Sequence, residues 1–314
     1  MPGLPGHEHA RPSAYAVGLP HADHAVTDAP SSKRPLIWFL FWLVTLSAPV
    51  CSLSVAIGSE PPMISRMLMW CPGTAALLTC LICHLDFRSL GWSWPRGRYL
   101  GWSYALPWIY AVPVYLLAWA MIPGAFQWDH FSAPLAATFK ITTHPTAFAA
   151  FFGIPTTMVF IVLGTMAWTL GEELGWRGFL VPRLYARWGY AGTSFAVGLL
   201  WAAWHYPVLL GADYNAGTPA AYAISCFTVM VVGLSFVMTW LRMASGSVWP
   251  CVILHAVHNT LIQGVLDAST ATDGRAPYVT TEFGFGLAVA LAVCAVVLAS
   301  SQRNALRAAH CPSA

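Results

Sequence analysis

Charged residues are scarce in this sequence. Only 9% of its 314 residues are Asp, Glu, Lys or Arg, and 57% are hydrophobic, whereas a soluble domain usually has about a quarter charged residues. A surface that faces water cannot be built from so few charges. Several apolar runs approach the roughly 20 residues that an α-helix needs to cross a bilayer. The composition therefore excludes an ordinary soluble enzyme and predicts a protein embedded in a lipid bilayer.

A basic surface is also missing. The net charge is only +3, and the basic residues are scattered in short connections, which argues against nucleic acid as a partner. Most of the eight cysteines lie in or beside apolar runs, where cysteine behaves as a small hydrophobic residue. Cys80 and Cys83 form a C-x-x-C pair, but no second pair accompanies them, so neither a redox site nor a zinc site is predicted there.

The first 32 residues lack hydrophobic periodicity. They are rich in Pro, Ala, Ser and His and contain no apolar segment of the kind that a cleavable signal peptide has. We predict that residues 1–32 are a disordered cytoplasmic tail whose histidines are solvated. A single transmembrane helical domain is predicted for residues 33–307, with a motif-bearing core at about 150–265, and residues 308–314 are predicted to be a short C-terminal tail.

Eight apolar segments predict the architecture. We expect an all-α membrane protein, a bundle of about eight transmembrane helices around a polar intramembrane cavity. The predicted helices are 36–57, 62–84, 101–122, 150–181, 191–210, 220–241, 248–265 and 281–300. The fourth segment is too long for a simple crossing, so it is tilted, broken near Pro155, or extended beyond the membrane edge as far as Pro182.

Lys and Arg are distributed unevenly between the two ends of this bundle. With eight spans, all of the 15 basic residues except Arg66, Lys140 and Arg275 fall on the side of the N-terminus. Basic residues in short loops prefer the cytoplasmic side of a bilayer. The sequence therefore predicts that both termini are cytoplasmic, and the alanine-rich composition favours a bacterial plasma membrane.

Polar and ionisable side chains inside the apolar segments form three groups. These are Glu172, Glu173 and Arg177 on the fourth segment, His205 on the fifth, and His255 with Asn259 on the seventh. Glu173 and Arg177 are four residues apart and share a helix face, which predicts an ion pair. Glu172 is rotated by about 100° and lacks that partner, so we assign it to chemistry and Glu173 to structure or to polarisation of the substrate.

These polar residues have simpler interpretations when each is taken alone. The two glutamates and Arg177 could form an ion network at the cytoplasmic end of a helix, a single buried histidine is commonly a core residue, and Asn259 could hold two helices together. However, a rise of about 1.5 Å per residue places the three groups near one depth in the bilayer. Ionisable groups at such depth usually face a protein interior or a water-filled cavity, and we predict one shared site.

The three groups resemble the motifs of a known family in their order and spacing. The family is that of the CAAX prenyl proteases and bacteriocin-processing enzymes, intramembrane glutamate proteases that are also called the abortive-infection family. Its E-E-x-x-x-R motif corresponds to Glu172–Arg177, and its H-x-x-x-N motif to His255–Asn259. Its F-x-x-x-H motif corresponds to Trp201–His205, where Trp replaces Phe. The resemblance covers about residues 150–265.

The resemblance implies an eight-helix bundle with a conical cavity that hydrolyses a peptide bond of a membrane-associated, prenylated or signal-like peptide. The lipid bilayer and a membrane peptide or lipidated protein would be its partners. By this resemblance, Glu172 and His205 would activate the water. His255 and Asn259 would stabilise the oxyanion, and Glu173 with Arg177 would orient these groups.

Alternatives to this metal-free protease remain open. A zinc-dependent variant could use His205, His255, His258 and Glu172 as ligands, although the sequence has no H-E-x-x-H motif. The polar cavity could also belong to an immunity factor or scaffold that binds without cutting. A proton-coupled transporter is a third possibility, but it predicts internal repeats, and we find none in the sequence.

Overall fold

The computed structural model describes residues 33–212 and 214–310, so the predicted N-terminal tail and residues 311–314 lie outside the described part. Every regular element in that part is helical, and its sole β-type pairing is an isolated bridge between Phe126 and Thr270. The structure thus confirms the predicted all-α fold class. The stretch from Asp129 to Lys140, between the third and fourth predicted segments, contains a helix over most of its length.

The α-helices are α1 (Arg34–Ile57), α2 (Pro62–Ile82), α3 (Gly97–Met121), α4 (Trp128–Thr138), α5 (Pro145–Phe148), α6 (Ile154–Thr156), α7 (Val162–Glu173), α8 (Val181–Gly211), α9 (Ala220–Ser245), α10 (Trp249–Leu261), α11 (Ala276–Val279) and α12 (Phe285–His310). Turns of π-helix at Ala149–Gly153, Thr157–Ile161 and Leu174–Leu180 join α5 to α8 without interruption, and another at Ile262–Leu266 extends α10. Short 3-10 helices occupy Phe87–Leu90 and Asp267–Ser269.

Six helical stretches in the described part are long and apolar enough to cross a membrane, which identifies the chain as a helical membrane protein. They are Arg34–Ile57, Pro62–Ile82, Gly97–Met121, Pro145–Gly211, Ala220–Ser245 and Phe285–Asn304. The prediction was about eight, and each predicted segment does lie on helix. The numbers differ because Pro145–Gly211 contains two of the predicted segments and because α10 is short by itself.

The long helical stretch bends at a glycine. Gly189 has φ 61° and ψ −167°, a backbone conformation that is readily accessible only to glycine. The bend separates the fourth predicted segment from the fifth. Near Pro155 the chain stays helical and is loosened by the π turns on either side, so of the three alternatives for this segment the break at Pro155 is wrong. Pro182 lies inside the continuous helical stretch, directly after the π turn at Leu174–Leu180 and Val181.

Close contact between α2 and α7 fixes the backbone next to the two glutamates. A Cβ atom on Gly171 would lie 2.7 Å from the carbonyl oxygen of Met69, and one on Gly73 would lie 2.5 Å from the carbonyl oxygen of Gly171. Only glycine permits such an approach at these two positions. The glycine that precedes Glu172 therefore anchors that residue against a neighbouring helix.

The segment after the glutamates is buried among neighbouring helices. Every residue from Leu174 to Val181 is buried. Phe179 stacks on Phe39 of α1 with ring centroids 4.9 Å apart, and the Nε of Arg242 donates a hydrogen bond of 3.0 Å to the carbonyl oxygen of Arg177. A π turn in a helix is frequent at functional sites. Here the π turn is buried along its whole length, so the backbone that follows the two glutamates is held firmly.

Candidate active site

Glu172 lies near the end of α7 with its side chain buried. Its Oε2 accepts a hydrogen bond of 2.7 Å from the indole Nε1 of Trp201 on α8. The helical spacing correctly indicates that Arg177 pairs with Glu173 rather than with Glu172. It gives no indication of the tryptophan partner, because that contact joins two different helices.

Glu173 is the centre of a buried ionic network. Its two carboxylate oxygens accept hydrogen bonds of 3.0 and 3.1 Å from NH1 of Arg177, which confirms the predicted ion pair. Oε1 is also 2.9 Å from Nδ1 of His255 on α10. Because an ionised carboxylate only accepts hydrogen bonds, Nδ1 is the donor. The first motif is thereby joined to the third.

Arg177 is fully buried beneath an aromatic ring. Its guanidinium carbon lies 4.1 Å from the centroid of the Trp201 ring, within the range of a cation–π interaction. Its Nε and NH2 atoms make no hydrogen bond to the described residues. The charge of Arg177 therefore depends on Glu173 and on the face of Trp201 for its stabilisation.

His205 lies four residues after Trp201 and is half-buried. Its Nδ1 is 2.9 Å from the carbonyl oxygen of Trp201. A carbonyl oxygen can only accept a hydrogen bond, so Nδ1 carries a proton, and whenever the ring is neutral Nε2 is its acceptor nitrogen. Within the described part of the chain, His205 and Glu172 are not hydrogen-bonded to each other, although Trp201 contacts both.

Asn259 lies one turn after His255 on α10 and is half-buried. Its side-chain amide makes no hydrogen bond to a residue that the structure describes. The spacing of four places it on the same helix face as His255. Glu173 thus contacts Arg177 and His255 directly, and Trp201 contacts Glu172, Arg177 and His255. It places His205 and Asn259 on the same two helices as the contacting residues.

His258 belongs to a separate buried network that the sequence did not reveal. Its Nδ1 is 2.6 Å from the hydroxyl of Tyr110, and its Nε2 is 3.0 Å from Oε1 of Glu282. Gln263 donates a hydrogen bond of 3.0 Å to the other oxygen of Glu282. The sequence did contain one indication of this network, because Glu282 is an acidic residue at the start of the last apolar segment.

Glu60 is a second residue that the sequence did not indicate. It lies half-buried in the connection between α1 and α2. Burial raises the pKa of Glu60, and the nearby Glu172 carboxylate adds to that rise. The connection between the first two helices therefore lies close to the first motif.

The residues considered as zinc ligands, His205, His255, His258 and Glu172, do not form a metal-binding cluster. No group of three or more His, Cys, Asp or Glu side chains suited to a metal ion occurs among residues 33–212 and 214–310. Both ring nitrogens of His258 contact Tyr110 and Glu282, which turns this ring toward its own network. His258 is therefore a packing residue in this arrangement.

Comparison with known proteins gives an independent view of the same segment. Residues 154–261 match the family model described as "Type II CAAX prenyl endopeptidase Rce1-like". The protein named CAAX prenyl protease 2 from Methanococcus maripaludis is 26% identical over 92 residues, which are 28% of this chain and 34% of that relative. The chain thus matches about a third of the relative's length. The segment with all three motifs is similar to the Rce1-like CAAX prenyl endopeptidases, which confirms the resemblance inferred from the motifs.

Proposed function

We propose that this protein is an intramembrane endopeptidase that hydrolyses a peptide bond in a membrane-associated peptide, with a water activated by Glu172 and His205. One observation carries the proposal. The three motifs, which are far apart in the sequence, meet in a buried constellation in which Trp201 contacts Glu172 and Arg177 while Glu173 binds Arg177 and His255. The similarity to CAAX prenyl endopeptidases supports the same reaction class.

Glu172 and His205 supply two acceptors for the attacking water. Trp201 occupies Oε2 of Glu172, which leaves Oε1 to accept a proton. Nε2 of His205 is the lone-pair nitrogen, because Nδ1 donates to the carbonyl of Trp201. A water held between these two atoms loses a proton as its oxygen attacks the scissile carbonyl. The proton is then delivered to the amine that leaves.

His255 and Asn259 are placed to stabilise the oxyanion that forms on the carbonyl. Glu173 accepts a hydrogen bond from Nδ1 of His255, and in its protonated form the imidazole also offers Nε2–H as a donor. The amide of Asn259 offers a second donor one helical turn away. Donors fixed before the reaction stabilise developing charge without reorganisation. Arg177 keeps Glu173 in place.

The proposal includes a location and a substrate class. The charge distribution favours both termini in the cytoplasm, and the alanine-rich composition favours the plasma membrane of a bacterial cell. For that setting, a signal-like or bacteriocin-like membrane peptide is the favoured substrate class over a prenylated C-a-a-X protein. We also propose that the reaction needs no metal ion, since a base and two oxyanion donors are all supplied by side chains.

Comparison of membrane peptides from two strains tests this function. Cells that carry wild type or Glu172→Ala are fractionated, and their membrane peptides are identified by mass spectrometry. We expect at least one uncleaved peptide to accumulate in the variant and its two products to be present only with wild type. Asp129→Ala, which changes an exposed carboxylate on α4, is the matched control and should resemble wild type. Identical peptide sets in all strains would contradict proteolysis and favour the alternative of binding without cutting.

A further inference from the structure

Trp201 stands at the point where this chain departs from the motif that it resembles. The motif has Phe at this position, and the chain has Trp. The difference in chemistry is the indole N–H, and that group donates the 2.7 Å hydrogen bond to Oε2 of Glu172. The replacement therefore adds a polar contact at the residue to which the proposed function assigns water activation.

We propose that Trp201 is a positioning residue for the reaction, whose indole N–H holds the carboxylate of Glu172 in the orientation that activates water. The inference rests on the proposed function, because it assigns Trp201 a role through Glu172. In this role Trp201 acts on the water and the scissile bond only through Glu172.

The hydrogen bond determines which oxygen of Glu172 is available. The terminal torsion of a glutamate side chain is soft, so a buried carboxylate with no partner can rotate. Among the described residues, Trp201 is the hydrogen-bond partner of this carboxylate. Bonds from a neutral donor to a charged acceptor are stronger than bonds between neutral groups. With Oε2 held, Oε1 has a defined direction.

The indole ring is itself held from two other sides. Its face lies against the guanidinium of Arg177, 4.1 Å from the ring centroid to the guanidinium carbon. Its edge meets the ring of His255 in a T-shaped arrangement with centroids 5.4 Å apart. A supporting residue fixes a catalytic group only if its own rotamer is fixed. Trp201 meets that condition because ion-pair residues of the first and third motifs pack against it.

Substitution by phenylalanine isolates the N–H group. Trp201→Phe keeps an aromatic face for Arg177 and removes the donor to Glu172. We expect kcat of the purified protein for a membrane peptide to fall about 10- to 100-fold, the range for loss of a hydrogen bond to a charged group, with KM nearly unchanged. Incorporation of 3-benzothienylalanine at position 201, which keeps the double ring and lacks the N–H, should give the same loss and excludes poor folding as its cause.

Trp204 provides the matched control on the same helix. Its Nε1 donates a hydrogen bond of 2.8 Å to the hydroxyl of Ser47 on α1, so Trp204→Phe also removes a part-buried indole N–H. We expect this variant to retain kcat. An unchanged kcat in both Trp201 variants, or equal losses in the Trp201 and Trp204 variants, would overturn the proposal. Absence of cleavage by wild type, assayed in parallel, would overturn the proposed function and this role with it.

Discussion

Replacement of Glu172 by glutamine is expected to lower kcat for peptide hydrolysis by at least about 1,000-fold, within the range that a general base contributes. Glutamine has nearly the same shape, and its carbonyl oxygen can still accept the hydrogen bond from Trp201. It cannot take a proton from water. The loss should therefore appear in kcat rather than in substrate binding. The measurement is steady-state cleavage of a membrane peptide by the purified protein in detergent.

Asp129→Asn is the matched control for this carboxylate-to-amide change, because Asp129 is exposed on α4. It should leave kcat within about twofold of wild type, since surface substitutions usually have little effect. Thermal unfolding of Glu172→Gln should resemble that of wild type. An active Glu172→Gln variant would show that another residue is the base, and the assignment of the first motif would be wrong.

Replacement of Glu173 by glutamine is expected to destabilise the protein by about 3 to 5 kcal/mol, the usual cost of removing one partner of a buried ion pair. Both members of this pair are inaccessible to solvent, and the variant leaves the charge of Arg177 without its counterion. Two contacts from Glu173 to Arg177 and one to His255 are lost or weakened together. Reversible denaturant unfolding in detergent measures the change.

The double variant Glu173→Gln with Arg177→Met separates stability from activity. Removal of both charges relieves the uncompensated cation, so most of the lost stability should return. Activity should not return, because a neutral amide at position 173 does not supply the negative charge beside His255. If the double variant recovered both stability and activity, the ion pair would be structural, and the proposed support of the oxyanion site would be contradicted.

The fold was predictable to the extent that it depends on local apolar length. All eight predicted segments lie on helix, because about 20 apolar residues specify a helix that satisfies its own backbone in lipid. The features that depend on backbone detail were not predictable in the same way. The bend at Gly189 and the π turns after Glu173 arise from packing between helices. Pro155 was a plausible break in the sequence, yet the chain stays helical there.

The site was predictable where its contacts lie within one helix. A spacing of four residues was sufficient for the Glu173–Arg177 pair. Contacts between helices could not be predicted from the sequence, since they depend on the rotation of each helix about its axis. This explains why the bond from Trp201 to Glu172 was missed, and why Tyr110 and Glu282 were not expected around His258. The catalytic roles remain predictions.

If side chains alone activate the water that cuts the peptide, hydrolysis needs no metal ion. Cleavage in labelled water after chelation tests this most directly. Purified wild type is treated exhaustively with a chelator and incubated in heavy-oxygen water with the membrane peptide that accumulates in the Glu172→Ala strain. Mass spectrometry of the products is the readout. Cleavage should persist, with a heavy oxygen atom in the new carboxyl group. Absence of cleavage, or cleavage that is lost with the chelator and restored by zinc, would contradict the account.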